Sequence, residues 1–496
     1  MLGPAPVLRD SSSFSMKRFT DWGKRSLRVV AAARRKLRSC ITRFSQPLTN
    51  AATSFLGSPN VCPRSTTVPG RSTPTAPFFG YLVARDLLSD RGGDVLALVS
   101  EVESLDASTV LVRWGTPYGF AGGLREELAP YPRRLLDDGA AGGPLLARSY
   151  WTSGYVGLGP FSVDRVSASQ VDLRAFKDYF LGPPRLDGVT LKYATGPAVI
   201  VDALTVGEAD VALAPSLRPA DGIALRSGWE AEGRGSVLVF PRASLVAAFQ
   251  LSEPGLGSST LGDPGVRRGL IAALNRQQTA FAESLGLLQA PTGWWPQTSG
   301  PAAGSQASDN DLAYNPRRAF ELFAEAGWNR SADGKLVSGG DRQLRIGLSS
   351  ASAIAAADVI VRYWREIGAE VGHPGPLGSV AGFIDVSLRE TEVGAEGLQH
   401  LGPGGRGGTS DPLGTGWPNL EADILIHRLR SALRVEERLR LDRELVGIVD
   451  REAPALPVAF LPMLLPVAEG VSGPLPRSGY RVRPWLAFNA HEWAVT

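Results

Sequence analysis

Side chains able to break bonds or hold a metal are few in this chain and badly spaced for either task. Its four histidines, His373, His400, His427 and His491, stand far apart and show no zinc-ligand spacing. Two cysteines, Cys40 and Cys62, cannot build a disulfide framework. There is no Gly-x-Ser-x-Gly elbow, no His-Glu-x-x-His pair and no Gly-Lys-Ser/Thr after a glycine-rich loop. One Gly-x-Gly-x-x-Gly run, Gly402 to Gly407, has neither a strand directly before it nor a helix after it, so it cannot present helix N–H groups to a phosphate and reads as loop. The residue chemistry points away from catalysis, and neither a cofactor nor a structural metal is expected.

The elements that would position any site begin with size. A chain of 496 residues is long enough for two to four domains at roughly 100–200 residues each. Hydrophobic residues at 43% and charged residues at 20% are ordinary globular usage, which disfavours wholesale disorder and a polytopic membrane protein. The net charge of +3 conceals an asymmetry: residues 1–75 carry 13 Lys+Arg against 2 acids, and the remainder carries 39 against 47. The basicity thus belongs to one segment, rich in Ser, Arg, Pro and Thr, which reads as a disordered tail outside the fold. It offers no recognisable signal peptide, because Arg28 interrupts the apolar run from Leu27 to Ala33, and no small-residue box precedes Cys40. An organellar transit peptide or a nucleic-acid-binding arm would share this composition; no nucleic-acid partner is assigned.

From about Phe78 short strands alternate with amphipathic helices. Val95–Glu103 and Thr109–Trp114 read as a strand pair, and Val189–Tyr193, a helix over Ala198–Gly207 and Val211–Leu213 read as a βαβ unit. Asp263-Pro264 and Asn315-Pro316 each place a capping residue and an N1 proline before an apolar stripe, with Gly327 closing the second helix. Further helices are expected over Ile354–Ile367, Leu420–Ala432 after Asn419, and Val435–Arg451, with a strand around Phe383–Leu388. Prolines 454 and 457 mark the start of an apolar segment, Val458–Val467.

In order, several of these segments are similar to the extracytoplasmic solute-binding proteins of the dipeptide and oligopeptide ABC transporter family, solute-binding protein family 5. The resemblance rests on YWTSGYVGLGPFSVDRV from Tyr150, FKDYFLGPPRLDGVTLKY, DALTVGEADV at 202–211, DPGVRRGLIAALNRQQ at 263–278, YNPRRAFELFAEAGW at 314–328, FIDVSLRE at 383–390, GWPNLEADILI at 416–426 and GYRVRPWLAFNAHEW at 479–493. It implies an α/β, two-lobe, periplasmic-binding-protein-like fold of the class C type, closing on a ligand by hinge motion. The expected divisions are a tail over 1–75, a first lobe over 76–245, a second over 246–465 and a C-terminal return over 466–496. Crossovers are expected near Val246–Gly257 and Leu456–Val467. Since residues 1–75 match none of the family's opening segments, the first lobe is expected to be incomplete, with an unpaired strand position.

The resemblance further implies a monomer, periplasmic or at the cell surface, that presents a peptide or similar solute to the membrane subunits of an ABC permease. Nickel and haem binders occur in the wider family, and nothing here supports either. A degenerate member acting as a non-binding interaction or structural protein is the alternative. A peptide site needs backbone pairing, charges for the termini and apolar surfaces for variable side chains. Trp294 and Trp295 in PTGWWPQ and Trp417 in GTGWPN are the candidates for the apolar surface. Family members often set an aspartate after the strand matching Phe383–Leu388; here only Glu390, Glu392 and Glu396 follow, with Glu392 and Glu396 taken as candidates for an ammonium and Arg389 and Arg406 for a carboxylate. On this reading Trp417 sits on a mobile loop, and its truncation weakens binding with little loss of stability.

Overall fold

A computed structural model of the chain describes residues 26–32, 81, 96–104, 109–119, 121, 136 and 159–496, the last apart from 214–216, 252–258, 295–312, 340–341, 351–353, 373–384, 392, 394, 399–400, 402–412, 414 and 475–488. The first strand is β1 (Ser26–Ala32), and β2 (Val99–Ser104) and β3 (Val110–Trp114) form the expected antiparallel hairpin. The meander β4 (Phe161–Val166), β5 (Gln170–Ala175) and β6 (Gly188–Ala194) follows. Helix α1 (Pro197–Thr205) then leads to β7 (Val211–Ala212), and α2 (Pro219–Glu232) to the long strand β8 (Gly235–Phe249).

β1 corrects the sequence reading. Seven residues of the supposed tail form an inner strand between β6 and β7, parallel to both, with Val29 opposite Leu191 on one side and Val211 on the other. The unit read as βαβ therefore has a one-strand gap between its two strands, and β1 fills it. The strand position expected to be empty is occupied. Arg28 breaks the continuous apolar run that a signal segment needs, but a strand needs only a few residues with backbone groups free on both edges.

Beyond β8 the chain builds a second α/β body. Helices α3 (Pro264–Ala272), α4 (Arg276–Ser284) and α5 (Pro316–Glu325) begin at side-chain caps. Asp263 accepts from the Gly265 N–H at 2.7 Å and Asn315 from the Arg318 N–H at 3.1 Å, as their spacing predicts. Gly269 of α3 has no room for a Cβ, which would fall within 2.7 Å of the Phe323 ring, so its small size sets how closely α3 and α5 approach. A three-stranded sheet of β9 (Trp328–Arg330), β10 (Leu336–Ser338) and β11 (Arg342–Gln343) lies beside β12 (Arg345–Ser350), α6 (Ile354–Glu366) and β13 (Glu370–Gly372), a parallel βαβ unit. Strand β14 (Val386–Thr391) starts three residues later than expected. Then come α7 (Ala395–Leu398), α8 (Leu420–Ser431), α9 (Val435–Glu452) and the second long strand, β15 (Ala455–Ala468), with β16 (Val471–Ser472) and β17 (Ala494–Val495) pairing at the end.

Ten strands join in one sheet of order β13-β12-β14-β8-β15-β7-β1-β6-β5-β4. The buried Arg267 of α3 donates to the carbonyls of Leu261, Gly262, Glu452 and Ala453, which include the C-terminal end of α9. Burial pulls its guanidinium down to about 10, so it remains charged at neutral pH and serves the negative end of the helix. The placement of β1 is testable through its backbone alone. Val30→Pro removes a ladder donor from a strand paired on both sides, and stability should fall by about 3 kcal/mol or more in urea unfolding. An unchanged midpoint would place residues 26–32 outside the sheet.

Candidate functional site

The two long strands pair antiparallel along their whole lengths, from Ala455 opposite Ala248 to Ala468 opposite Gly235. Their two halves belong to different cores. Leu238 and Phe240 of β8, with Leu465 and Val467 of β15, pack into the core holding Leu173, Val189 and Trp493. Ala243, Leu245, Ala247 and Phe249, with Leu456, Val458 and Leu461, pack instead with Leu270, Phe323 and Trp364. The change of lobe thus falls between Phe240 and Ala243 on one strand and between Leu461 and Leu464 on the other, a few residues earlier on β8 than expected. At that point Pro241 stands opposite Pro462, and the register slips so that Arg242 has no partner on β15. Neither proline can donate to the ladder, so the crossing is weakly tied; a second slip, at Val458 after Pro457, falls within the second-lobe half.

On the second-lobe side, register places Ser387, Arg389 and Thr391 of β14 beside Ala248, Val246 and Ser244 of β8. Side chains at register partners share a face. Its inner part is apolar, with Val246 and Ala248 in a core with Leu398, Leu413, Leu425 and Leu445. Polar groups are interleaved with it: Ser244 and Thr391 face each other nearest the crossing, and Arg389, Ser387 and Gln250 follow progressively farther from it. Arg389 Nε and Gln250 Nε2 each donate to Ser387 Oγ at 3.2 Å. Arg389 is half-buried, and no carboxylate pairs with it among the described residues. Ser244 is wholly buried, and its hydroxyl has no hydrogen-bond partner among the described residues. An unmet buried hydroxyl is costly, so a group able to bond with it would gain from entering here.

The opposite face at the same level carries charge. Arg242 Nη1 and Glu390 Oε2 are 2.9 Å apart, with both side chains about one-third exposed. Glu283 of α4 accepts from the Ala356 N–H, in the first turn of α6, at 2.8 Å. Burial pushes the Glu283 carboxyl up, and the nearby Glu390 charge adds to this, while the Ala356 hydrogen bond opposes it.

The sequence-derived candidates separate in this frame. Arg389, expected to meet a carboxylate, lies on this face opposite Val246 and bonds Ser387. Trp294 and Trp417 are both buried, at 2% and 3% exposure, in one hydrophobic core. Trp417 is not carried by a free loop: Leu251 N–H donates to the Thr415 carbonyl at 2.7 Å, and the Trp417 N–H reaches Thr415 Oγ1 at 3.4 Å. These bonds tie the segment to the end of β8 and press the indole inward. Glu396 lies on α7. Trp295, Glu392 and Arg406 lie outside the described residues, as do His373, His400 and the Gly402–Gly407 run. Ser244 and Thr391 escaped the sequence reading; the only signal was an isolated serine in an otherwise apolar segment following Pro241. Among the described residues no His/Cys/Asp/Glu group has the arrangement of a metal site, and no helix is long and apolar enough to cross a membrane.

Two separately cored lobes joined by a crossing strand pair define the two-lobe binding-protein architecture. Residues 66–379 match the family described as bacterial extracellular solute-binding proteins, family 5, middle, and the chain belongs to that family. The match begins inside the segment read as a tail. A Brucella ovis protein described as a candidate ABC transporter peptide-binding protein is 25% identical over 253 residues, 49% of this chain and 43% of its own length. The chain thus aligns with less than half the length of the curated relatives it matches. Among solved structures, the ABC transporter substrate-binding protein CtaP of Listeria monocytogenes superposes with a TM-score of 0.71 at 15% identity, covering 95% of this chain and 99% of its own. The oligopeptide-binding protein AppA of Bacillus subtilis, solved with a nonapeptide, gives 0.63 at 17% identity, with coverage of 95% and 99%.

The buried indole reverses the expectation for Trp417. Trp417→Ala should cost about 3–5 kcal/mol of stability, the range for emptying an aromatic core position. Thermal and urea unfolding of this variant measure it, and a melting temperature within a degree of the parent would return Trp417 to the surface.

Proposed function

We propose that the chain is the solute-receiving component of an ABC transporter, enclosing a peptide or similar solute between its lobes and presenting it to a membrane permease, with no bond made or broken. The crossing of β8 and β15 between two separate cores carries this reading, because it lets two preformed bodies close on a ligand about a narrow joint. The β14–β8 face supplies the ligand contacts, with Ser244 and Thr391 nearest that joint and Arg389 next along β14. Arg389 meets a carboxylate of the solute, and Ser244 and Thr391 offer hydroxyls to its carbonyl or amide groups. Glu392, Glu396, Arg406 and Trp295, which follow β14 or Trp294 in sequence, are the further residues assigned to the ligand in this reading; Trp294 and Trp417 support it from within the core. A peptide is favoured as ligand by the Brucella relatives and by AppA, whose descriptions name peptides. The working location is outside the cytoplasm, in the periplasm or at the cell surface, and the working form is a monomer.

Peptides that bind only the folded chain should raise its stability, by about 2.7 kcal/mol at a concentration one hundred times Kd. Thermal unfolding against a panel of tri- to pentapeptides, with X-ray scattering of each hit, tests this: a hit should also lower the radius of gyration. A panel without a single shift would support a non-binding interaction protein instead. For a peptide that does bind, Arg389→Gln should raise Kd about tenfold or more through loss of a charge-assisted bond, with the melting temperature of the free protein little changed. Blocking the C-terminal carboxylate of the peptide should abolish the difference between the two proteins, and a persisting difference would assign Arg389 another role.

A further inference from the structure

The crossing point combines a soft backbone with a charged contact that the binding reading leaves unused. Pro241 and Pro462 face one another, and Arg242 is the extra residue of the bulge between them and the second-lobe core. A bulged residue bends its strand and redirects its own side chain. Arg242 reaches Glu390 at 2.9 Å, and Glu390 is held in register on β14 opposite Leu245, inside the second-lobe sheet. The contact therefore ties the most weakly bonded residue of the crossing to the rigid body on one side of it. Glu283 lies close enough to Glu390 for the two carboxylates to repel, and Arg242 offsets that repulsion from the third corner.

We propose that the Arg242–Glu390 ion pair is a latch that sets the angle between the lobes in the unliganded protein. While it is formed, the bulge keeps one conformation and the lobes one separation. When it breaks, Glu390 and Glu283 are left facing each other and the bulge is free to take other backbone angles. The latch acts on the same inter-lobe site as the proposed solute binding and takes its purpose from that reading. Its test uses the protein without ligand, so failure to bind peptides and failure of the latch give different results.

Spin labels report the separation directly. Ala231→Cys on α2 and Ala324→Cys on α5 place one exposed label on each lobe, with Cys40→Ser and Cys62→Ser removing the native thiols. In double electron–electron resonance, Arg242→Gln and Glu390→Gln should each change the ratio of lobe separations by about two- to fivefold, the scale for a partly exposed ion pair. The exchanged pair, Arg242→Glu with Glu390→Arg, should return the distribution toward that of the parent. High salt should move the parent in the direction of the single variants, which keeps the proposal testable if a variant folds poorly. Distances unchanged in both single variants and in high salt would overturn it. So would a shift in only one variant, or an exchanged pair no closer to the parent than either single change.

Discussion

Antiparallel pairing of β8 with β15 fixes thirteen pairs of Cα partners, interrupted by two register slips, and each strand is shared between two bodies that otherwise have their own helices and cores. That sharing is the constraint on which the rest depends. It makes the ten strands one sheet, so the lobes cannot separate without tearing a ladder. It also sets the passage between the cores at the one pair in which neither residue can donate to the ladder. Pro241 opposite Pro462 is that pair, and the slip at Arg242 lets the chain change direction without exposing either core. A longer flexible linker would give freedom without direction, whereas a paired crossing gives a defined axis.

The helices were legible in the sequence because their signals are local. Asp263, Asn315 and Asn419 cap the helices they precede, and each cap needs only the next three residues to be recognised. β1 was missed for the opposite reason. What makes Ser26–Ala32 a strand is the gap between β6 and β7, more than 150 residues away, and nothing in Ser-Leu-Arg-Val-Val-Ala-Ala announces those partners. The arginine-rich surroundings argued against a fold because composition averages over a segment, while a strand requires only its own few residues to be compatible with a waiting edge. The same non-locality hid the bulge at Arg242, which exists only relative to the register of Leu461 and Pro462 on a strand 220 residues later.

The candidate site was legible in part. Arg389 was singled out by residue type as following a strand that ends at Leu388, whereas it lies inside β14, paired with Val246. Trp417 was read from its glycine-rich neighbours as mobile, yet glycine content measures what the backbone can do, not what it does. Thr415 bonded to Leu251 and Leu401 removes the freedom that the glycines allow, and the indole fills core. Ser244 escaped because hydroxyls in apolar strands usually find a partner, and only the three-dimensional arrangement shows that this one has none among the described residues.

Placing unmet polarity beside a joint has a physical consequence for binding. A ligand that bonds Ser244 and pairs with Arg389 gains most when water is excluded around those contacts, since low polarity strengthens both and also raises the cost of leaving either unmet. Exclusion of water requires the lobes to come together, so the stabilisation of the contacts and the closing motion rise in step. A solute that cannot satisfy the serine and the arginine would leave buried polar groups unpaired in the closed form and would favour the open one. Selectivity of this kind would need no catalytic group: it would follow from setting groups that must be satisfied beside the joint between two bodies.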